Sequence, residues 1–448
     1  MLGPLCYRVE EVFMISVTHV SFSYPHAPSV FEDVSMELSA GERVVLLGSN
    51  GSGKTTLARL MNGSLMPTDG EVCVDGTNTV DVSSTHSSLQ VGLIRQDPAN
   101  QLISASVFEE VAFGPSHLGL SQPEVLARAE KSLELCGIAH LRDRTTYELS
   151  GGQQQLLAFA ATLALSPHYL VLDEVYVQLD ARTRTKIRSL VTSLVSAGLG
   201  VLELSHSVES LFGASRVLWL HDGRIAWSGS PNDFLQDASC AAAAGLMHTG
   251  YARVLQKAVA RGFDLSAARD IKALGRYLRK KGLQDEAKSL LLERSSSCGR
   301  LSHARLNCDV DLDACLNAHT LALRGASLTF ETTRALDKVS LESKGELVLL
   351  TGRSGSGKTT AARVLAGVLE ADEGKAVFDG VRVSVGSVGL AFQNPENQVF
   401  ADTVFDDIAY GPRVRGFSAS SLKDSVHRAA HEVDVDSEIL KRSPLELS

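Results

Sequence analysis

The sequence predicts a duplicated α/β fold, a parallel sheet with helices packed on it, whose second copy is incomplete. Three observations predict it. Gly48-Ser-Asn-Gly-Ser-Gly-Lys-Thr-Thr56 recurs as Gly352-Arg-Ser-Gly-Ser-Gly-Lys-Thr-Thr360, 304 residues further on. Gln96-Asp-Pro-Ala-Asn-Gln101 recurs as Gln393-Asn-Pro-Glu-Asn-Gln398 and Val107 to Pro115 as Val404 to Pro412, both at 297, and Glu148-Leu149-Ser150 recurs as Glu446-Leu447-Ser448 at 298. Offsets that drift so little are those of a duplicated domain with loop insertions. Within a copy, apolar runs of strand length alternate with helical patterns, as the strands and crossover helices of a parallel sheet do.

In chain order, Ile15 to Tyr24 and Phe31 to Leu38 alternate apolar and polar residues and predict antiparallel strands. Arg43 to Leu47 is a continuous apolar strand that runs into the first glycine loop, and Thr55 to Asn62 follows as a helix. The uncharged stretch Gln155 to Leu172 approaches membrane-spanning length, but Ser166-Pro167-His168 cut it into a buried helix and a buried strand. Ala181 to Ser196 has a helical pattern, Gly200 to Leu204 is a buried strand, and Val217 to Leu220 and Arg224 to Trp227 flank the hairpin signal Asp222-Gly223. Cys240 to Arg294 reads as helical, and its part Tyr251 to Arg294 carries eleven basic and five acidic residues. Such a run is usually a solvated helix face. The expected domains are an N-terminal extension 1–13, a complete copy 14–236, a helical subdomain 237–294, a linker 295–318 and a truncated copy 319–448.

Composition narrows the function classes. With 44% apolar and 21% charged residues among 448, the chain is an ordinary globular protein with more than one core. Its net charge of -9 argues against coating nucleic acid, which needs a basic surface. Seven scattered cysteines without a CxxC pair suit a reduced cytosolic chain. His303, Cys308, Cys315 and His319 match no zinc-ligand spacing. Met1 to Phe13, with Arg8, Glu10 and Glu11, lacks the apolar core of a signal peptide. If the chain works at a membrane, another chain supplies the membrane part.

The glycine loops carry the chemistry. A Gly-x-x-x-x-Gly-Lys-Thr segment between an apolar strand and a helix turns its backbone N–H groups inward around phosphates at a helix N-terminus. Gly48, Asn50, Gly51, Ser52, Gly53, Lys54, Thr55 and Thr56 are the expected ATP contacts of the first copy, with Lys54 on the β and γ phosphates and the Thr55 hydroxyl on Mg2+. Gly352, Ser354, Gly355, Ser356, Gly357, Lys358, Thr359 and Thr360 are their counterparts in the second, Thr359 again facing the metal. The strand Tyr169 to Leu172 ends in Asp173-Glu174, a carboxylate for hydrated Mg2+ followed by a candidate general base. Ser150, Gly151, Gly152 and Gln153 open the uncharged helix, where free N–H groups form either an anion site or a simple N-cap.

In their order along the chain, Gly48 to Thr55, Gln96, Leu149 to Gln153, Asp173-Glu174 and His206 resemble the ATP-binding cassette ATPases over nearly the whole first copy. The resemblance implies a P-loop NTPase cassette, a parallel sheet core with an antiparallel β subdomain and an α-helical subdomain. It also implies cassettes paired head to tail, each ATP lying between one phosphate loop and the partner's signature at Ser150 to Gln153. It further implies that Tyr24 stacks on adenine, that Gln96, and Gln393 in the second copy, sense Mg2+ and a transmembrane partner, that Asp180 lies in the inter-cassette loop and that His206 contacts the γ phosphate. Val175-Tyr-Val-Gln-Leu179 departs from the family's usual Pro-Thr-Ser-Ala-like stretch.

The Gln-x-Pro-x-x-Gln segment followed by Gly-Pro, present in both copies, is similar to that of the energy-coupling factor ATPases of vitamin and transition-metal uptake. That resemblance implies a peripheral ATPase on the cytoplasmic face of the membrane, a membrane scaffold protein received in a groove of each cassette, and a separate substrate-capture membrane protein. Tyr251 to Lys281 resembles the small C-terminal domain with which such ATPases pair. A soluble tandem cassette acting on the ribosome or DNA is the alternative; the duplicated segment favours transport, and the helical linker is less basic than a ribosome-contacting arm needs. The second copy offers Gln393 and Phe330 but reaches only the first residues of its signature, so the sequence reads as a truncated two-cassette protein. The Lys54 site then has its own Asp173, Glu174 and His206 without a facing signature, while the Lys358 site has a signature to face and no base.

Met14-Ile-Ser-Val-Thr begins the first strand directly, and translation is expected to start in effect at Met14. Deleting the first thirteen residues should leave melting temperature and ATP binding unchanged; a loss of several degrees in a thermal melt refutes this reading.

Overall fold

The computed structural model describes residues 13–25, 28–177, 179–268, 270–292, 319–330, 333–352, 355–392, 398–433 and 435–444. The expectations placed on residues 1–12, on the linker 295–318, on His303, Cys308 and Cys315, and on Ser354, Gln393 and Glu446-Leu447-Ser448 lie outside these residues. The chain forms two compact units, Met1–Arg300 and Leu301–Ser448.

The first unit begins with β1 (Met14–Ser23), β2 (Ser29–Ser39), β3 (Arg43–Leu47), α1 (Lys54–Met61), β4 (Asp69–Val74), β5 (Thr77–Asn78), α2 (Ser84–Gln90), β6 (Val91–Ile94), α3 (Val107–Ser116) and α4 (Gln122–Leu135). It continues with α5 (Gly151–Ala164), β7 (Tyr169–Asp173), α6 (Ala181–Ser196), β8 (Gly200–Ser205), β9 (Arg216–His221), β10 (Arg224–Gly229), α7 (Pro231–Gln236), α8 (Ala238–Ala243), α9 (Gly250–Ala260), α10 (Ile271–Lys281) and α11 (Gln284–Leu292). Two sheets result: an antiparallel one in the order β2-β1-β4-β5, and a six-stranded one in the order β10-β9-β3-β8-β7-β6. In the second sheet β9, β3, β8, β7 and β6 are parallel, and only the β9–β10 hairpin is antiparallel. Its turn holds Asp222 and Gly223 at φ of 46° and 71°, the left-handed pair that a two-residue hairpin turn requires.

The parallel strands read as unbroken apolar runs because each is buried on both faces. All five residues of β3 are buried, and they alternate between two cores. Val44 and Leu46 join β1, β2, β4 and α1 in one, while Val45 and Leu47 join Trp219, Phe234, Leu235 and the helices after Gln236 in another. A third core holds Leu170 and Leu172 of β7 against α3, α4, α5 and α6. The residues after Gln236, which the sequence sets apart as a helical subdomain, thus share a core with the phosphate-loop strand.

The second unit contains β11 (Thr320–Phe330), β12 (Thr333–Lys344), α12 (Lys358–Leu365), β13 (Glu373–Phe378), β14 (Val381–Arg382), α13 (Val404–Val414) and α14 (Ala419–Glu432). Its sheet, in the order β12-β11-β13-β14, repeats the antiparallel sheet of the first unit. Leu347-Val348-Leu349-Leu350, the counterpart of β3, forms no strand, and Leu347 and Leu349 are 99% and 83% exposed. At the repeat's offset, the counterparts of β7, β8 and β9 fall beyond Ser448.

One buried ion pair fastens the first unit's parallel sheet. Arg43, 8% exposed, donates to Glu203 Oε2 at 2.5 Å and to the carbonyls of Phe212 and Ser210 at 2.6 and 3.0 Å; Glu203 is 1% exposed. Burial alone would pull the Arg43 guanidinium down, and the adjoining Glu203 carboxylate more than restores it. Glu203→Ala should cost about 3 kcal/mol, because it leaves the guanidinium buried without its counter-charge. A urea melt reads the change, and a midpoint equal to the parent's contradicts it.

Candidate functional site

The loop between β3 and α1 is shaped by its glycines. Gly51 and Gly53 take φ of 77° and 97°, and a Cβ on Gly53 would stand 2.6 Å from the Phe31 ring, so only glycine lets the loop close over β2. Lys54 reaches back across the loop and donates to the carbonyls of Gly48 and Ser49, both at 2.9 Å. The Ser52 hydroxyl is buried without a hydrogen-bond partner among the described residues. Such an orphaned donor two residues before the N-terminus of α1 fits a phosphate oxygen.

Residues far apart in sequence converge on this loop. Thr55 Oγ1 donates to Asp173 Oδ2 at 2.8 Å, joining the start of α1 to the end of β7 across 118 residues. Lys54 Nζ lies 3.7 Å from Glu174 Oε1, and His206 Nδ1 lies 3.2 Å from the same oxygen. Burial lowers the Lys54 ammonium pKa against the pull of Glu174 and Asp173. Burial likewise raises the Asp173 carboxyl, with the Thr55 hydroxyl opposing. Glu174 sits at φ 50°, a left-handed conformation unfavourable for a residue with a Cβ, and this turns the chain out of β7 so that its carboxylate meets Lys54 and His206.

The other expected residues are placed as follows. Tyr24 is half-buried, its hydroxyl 3.1 Å from Thr56 Oγ1 and its ring edge-on to Phe22. Ser150 caps α5, and both its backbone N–H and its hydroxyl donate to Gln153 Oε1, at 2.9 and 3.1 Å. A Cβ on Gly152 would stand 3.0 Å from the Thr183 side chain, while Gly151 faces open space. Among the described residues no hydrogen bond or ion pair joins Ser150–Gln153 to the Lys54 loop. Asp180 caps α6, accepting from the N–H groups of Arg182 and Thr183 at 2.9 and 3.1 Å. Gln96 is exposed. In the second unit Gly355 and Gly357 repeat the positive φ, at 77° and 85°, Lys358 donates to the Gly352 carbonyl at 2.8 Å, and Thr359 and Thr360 follow on α12. Phe330 is exposed at the end of β11.

The sequence reading missed the residues that pin the glutamine loop. Gln101 accepts from the Arg95 N–H at 3.1 Å and donates to the Leu93 carbonyl at 3.0 Å, and buried Glu110 accepts from the N–H groups of Ile103 and Ser104 at 2.9 and 2.6 Å. The second unit repeats both devices. Gln398 accepts from Phe392 N–H at 3.1 Å and donates to Leu390 at 3.3 Å, and Asp407 accepts from Phe400 and Ala401 at 3.1 and 3.2 Å. The signal was present in the repeat, where a glutamine and a carboxylate hold equivalent positions in both copies.

Fold and loop together are those of an ATP-binding cassette ATPase, and the chain belongs to the ABC transporter family, whose model matches residues 31–177 and 336–448. Over 458 aligned residues the chain is 30% identical to a protein of Caldanaerobacter subterraneus subsp. tengcongensis, itself assigned only by inference as an ABC transporter ATP-binding protein; the match covers 97% of this chain and 77% of that one. It is 37% identical to the energy-coupling factor transporter ATP-binding protein EcfA of Syntrophomonas wolfei, over 56% of this chain and 94% of that one. It is also 37% identical to the cobalt import ATP-binding protein CbiO of Syntrophus aciditrophicus, over 49% and 79%. Among the described residues no helix is long and apolar enough to cross a membrane.

Proposed function

We propose that the chain is the ATP-hydrolysing subunit of an energy-coupling-factor-type importer, working at the cytoplasmic face of a membrane through a separate scaffold protein and a substrate-capture protein. The observation that carries the ATPase chemistry is the pairing of Thr55 with Asp173 and, beside it, of Lys54 and His206 with Glu174. The likeness to EcfA and CbiO supports the importer reading, as does the glutamine loop pinned alike in both units.

The residues present fit ATP and Mg2+. Backbone N–H groups of the Gly48 to Thr56 loop and the Ser52 hydroxyl would donate to the phosphate oxygens, and Lys54 would exchange its two carbonyl partners for phosphate oxygens. Thr55, Asp173 and Gln96 would hold Mg2+, which neutralises charge on the phosphates. Glu174 takes the proton of the attacking water, and His206, beside it, contacts the γ phosphate. Tyr24 offers a face to adenine. In the second unit Gly352, Gly355, Ser356, Gly357, Lys358, Thr359 and Thr360 would form a second nucleotide loop; Ser354 and Gln393, which the sequence adds to it, lie outside the described residues. Because a cassette does not turn its own signature onto its own loop, hydrolysis at Lys54 needs Ser150 to Gln153 of another chain, paired head to tail.

Glu174→Gln should retain ATP binding and lose turnover by about a hundredfold or more, since the amide keeps the shape but cannot take a proton. Lys54→Ala should instead weaken binding at the first site. Turnover of Glu174→Gln at the parent rate refutes the assignment of the base.

Pairing between chains should make ATPase activity rise faster than linearly with protein concentration. A mixture of Lys54→Ala and Ser150→Arg chains, each inactive alone, should recover activity through one intact site per mixed pair. Linear dependence on concentration with no recovery on mixing excludes pairing of this kind.

A further inference from the structure

Glu174 and His206 leave the sheet on adjacent strands, β7 and β8, and each is followed by a segment that must be held for their 3.2 Å contact to persist. After Glu174, Val175 is buried in the third core, and half-buried Tyr176 lies beneath the Arg188 guanidinium, 5.2 Å from ring centroid to Cζ. After His206, a one-turn helix over Val208–Leu211 is braced by serines: the Ser207 N–H donates to Ser205 Oγ at 3.0 Å, the Glu209 N–H to Ser207 Oγ at 3.2 Å, and the Ser210 hydroxyl to Ser205 Oγ at 2.8 Å. This turn aims Glu209 across at α6. Its Oε2 accepts from Arg184 at 3.4 Å and from Arg188 at 3.3 Å. Arg184 also donates to the Leu179 carbonyl, at the end of the stretch that begins at Val175. A cavity of about 190 Å³ lies among these groups, with Glu174 and His206 on its wall beside Arg184, Arg188 and Glu209.

We propose that Glu209, bridged to Arg184 and Arg188, is a positioning residue for ATP hydrolysis, tying the segment after His206 to the segment after Glu174 and so fixing the two side chains against each other. The inference rests on the reading of Glu174 as the base. Both arginines span the gap. Arg184 joins Glu209 to the Leu179 backbone, and Arg188 joins Glu209 to the Tyr176 ring. Arg188 retains 19% of its side-chain exposure and Glu209 34%, so the pair contributes little to stability by itself, and its value lies in geometry. Tyr176 stands within the stretch where this sequence departs from the family pattern, between Val175 and Leu179 in the third core, and the Arg188 guanidinium lies over its ring.

The test uses the full chain, with steady-state ATPase kinetics, nucleotide binding by fluorescence of a trinitrophenyl ATP analogue, and thermal melts. Glu209→Gln keeps the side chain's shape and removes its charge; it should lower kcat about tenfold while KM and analogue affinity stay within about twofold and the melting temperature is unchanged. Arg188→Lys, which keeps the charge, should retain most of the activity that Arg188→Gln loses. Combined with His206→Ala, Glu209→Gln should add no further loss, because the group it positions is gone. An unchanged kcat, a kcat loss matched by lost binding or a lowered melt, or losses that multiply with His206→Ala would each overturn the proposal. Glu174→Gln measured alongside separates the two readings. If that variant turns over normally while Glu209→Gln does not, the base assignment fails and the positioning of His206 stands; if Glu174→Gln is inactive and Glu209→Gln normal, the positioning role fails.

Discussion

A parallel strand buried on both faces is stable only when both of its edges are paired and both faces are covered, since it otherwise presents bare backbone groups and apolar side chains to water. β3 meets all four conditions: β8 and β9 pair its edges, and two cores cover its faces. Everything at the nucleotide loop follows from that, because the loop is the strand's continuation and inherits its rigidity. The second unit shows the converse. Leu347 to Leu350 carry the same apolar pattern, find no parallel neighbours among the described residues, and form no strand. The turn at Gly355 and Gly357 and α12 still form, with Lys358 donating to the Gly352 carbonyl, so local sequence suffices for these but not for the strand behind them.

Periodicity made much of the first unit legible. The alternating runs of β1 and β2, the solid apolar runs of β3, β7 and β8, the capped helix α6 and the Asp222-Gly223 turn appear within a residue or two of where the sequence puts them. The patterns of β1, β2, α6 and the turn are local, and the apolar runs of β3, β7 and β8 mark the strands, which distant partners then complete. What stayed hidden depends on distant partners. β4 opens on Asp69-Gly70-Glu71, which breaks its apolar pattern, β6 has only four residues, and the contact of Thr55 with Asp173 spans 118 positions. Phe234 and Leu235 before the expected boundary at Gln236, and Leu246, Leu255 and Leu265 after it, pack in one core with Val45 and Leu47. Sequence shows that a helix face is apolar but not which strand it covers.

The candidate site was legible by residue type and not by geometry. A lysine in a glycine loop and a carboxylate pair at a strand end announce themselves. That Glu174 adopts a left-handed backbone conformation, or that one of its oxygens lies near both Lys54 and His206, does not. Burial here works against the charges it encloses, pulling Lys54 down and Asp173 up, and each is held by the other's neighbourhood.

Gln101 and Glu110, and again Gln398 and Asp407, make matching hydrogen bonds in two different settings, beside a six-stranded sheet with five parallel strands in the first unit and, among the described residues, with no parallel sheet in the second. The bonds that pin the ends of the segment are therefore repeated with the segment itself. Such a device is portable: evolution can duplicate it with the rest of a domain, preserve it while the surrounding framework changes, or graft it onto another scaffold.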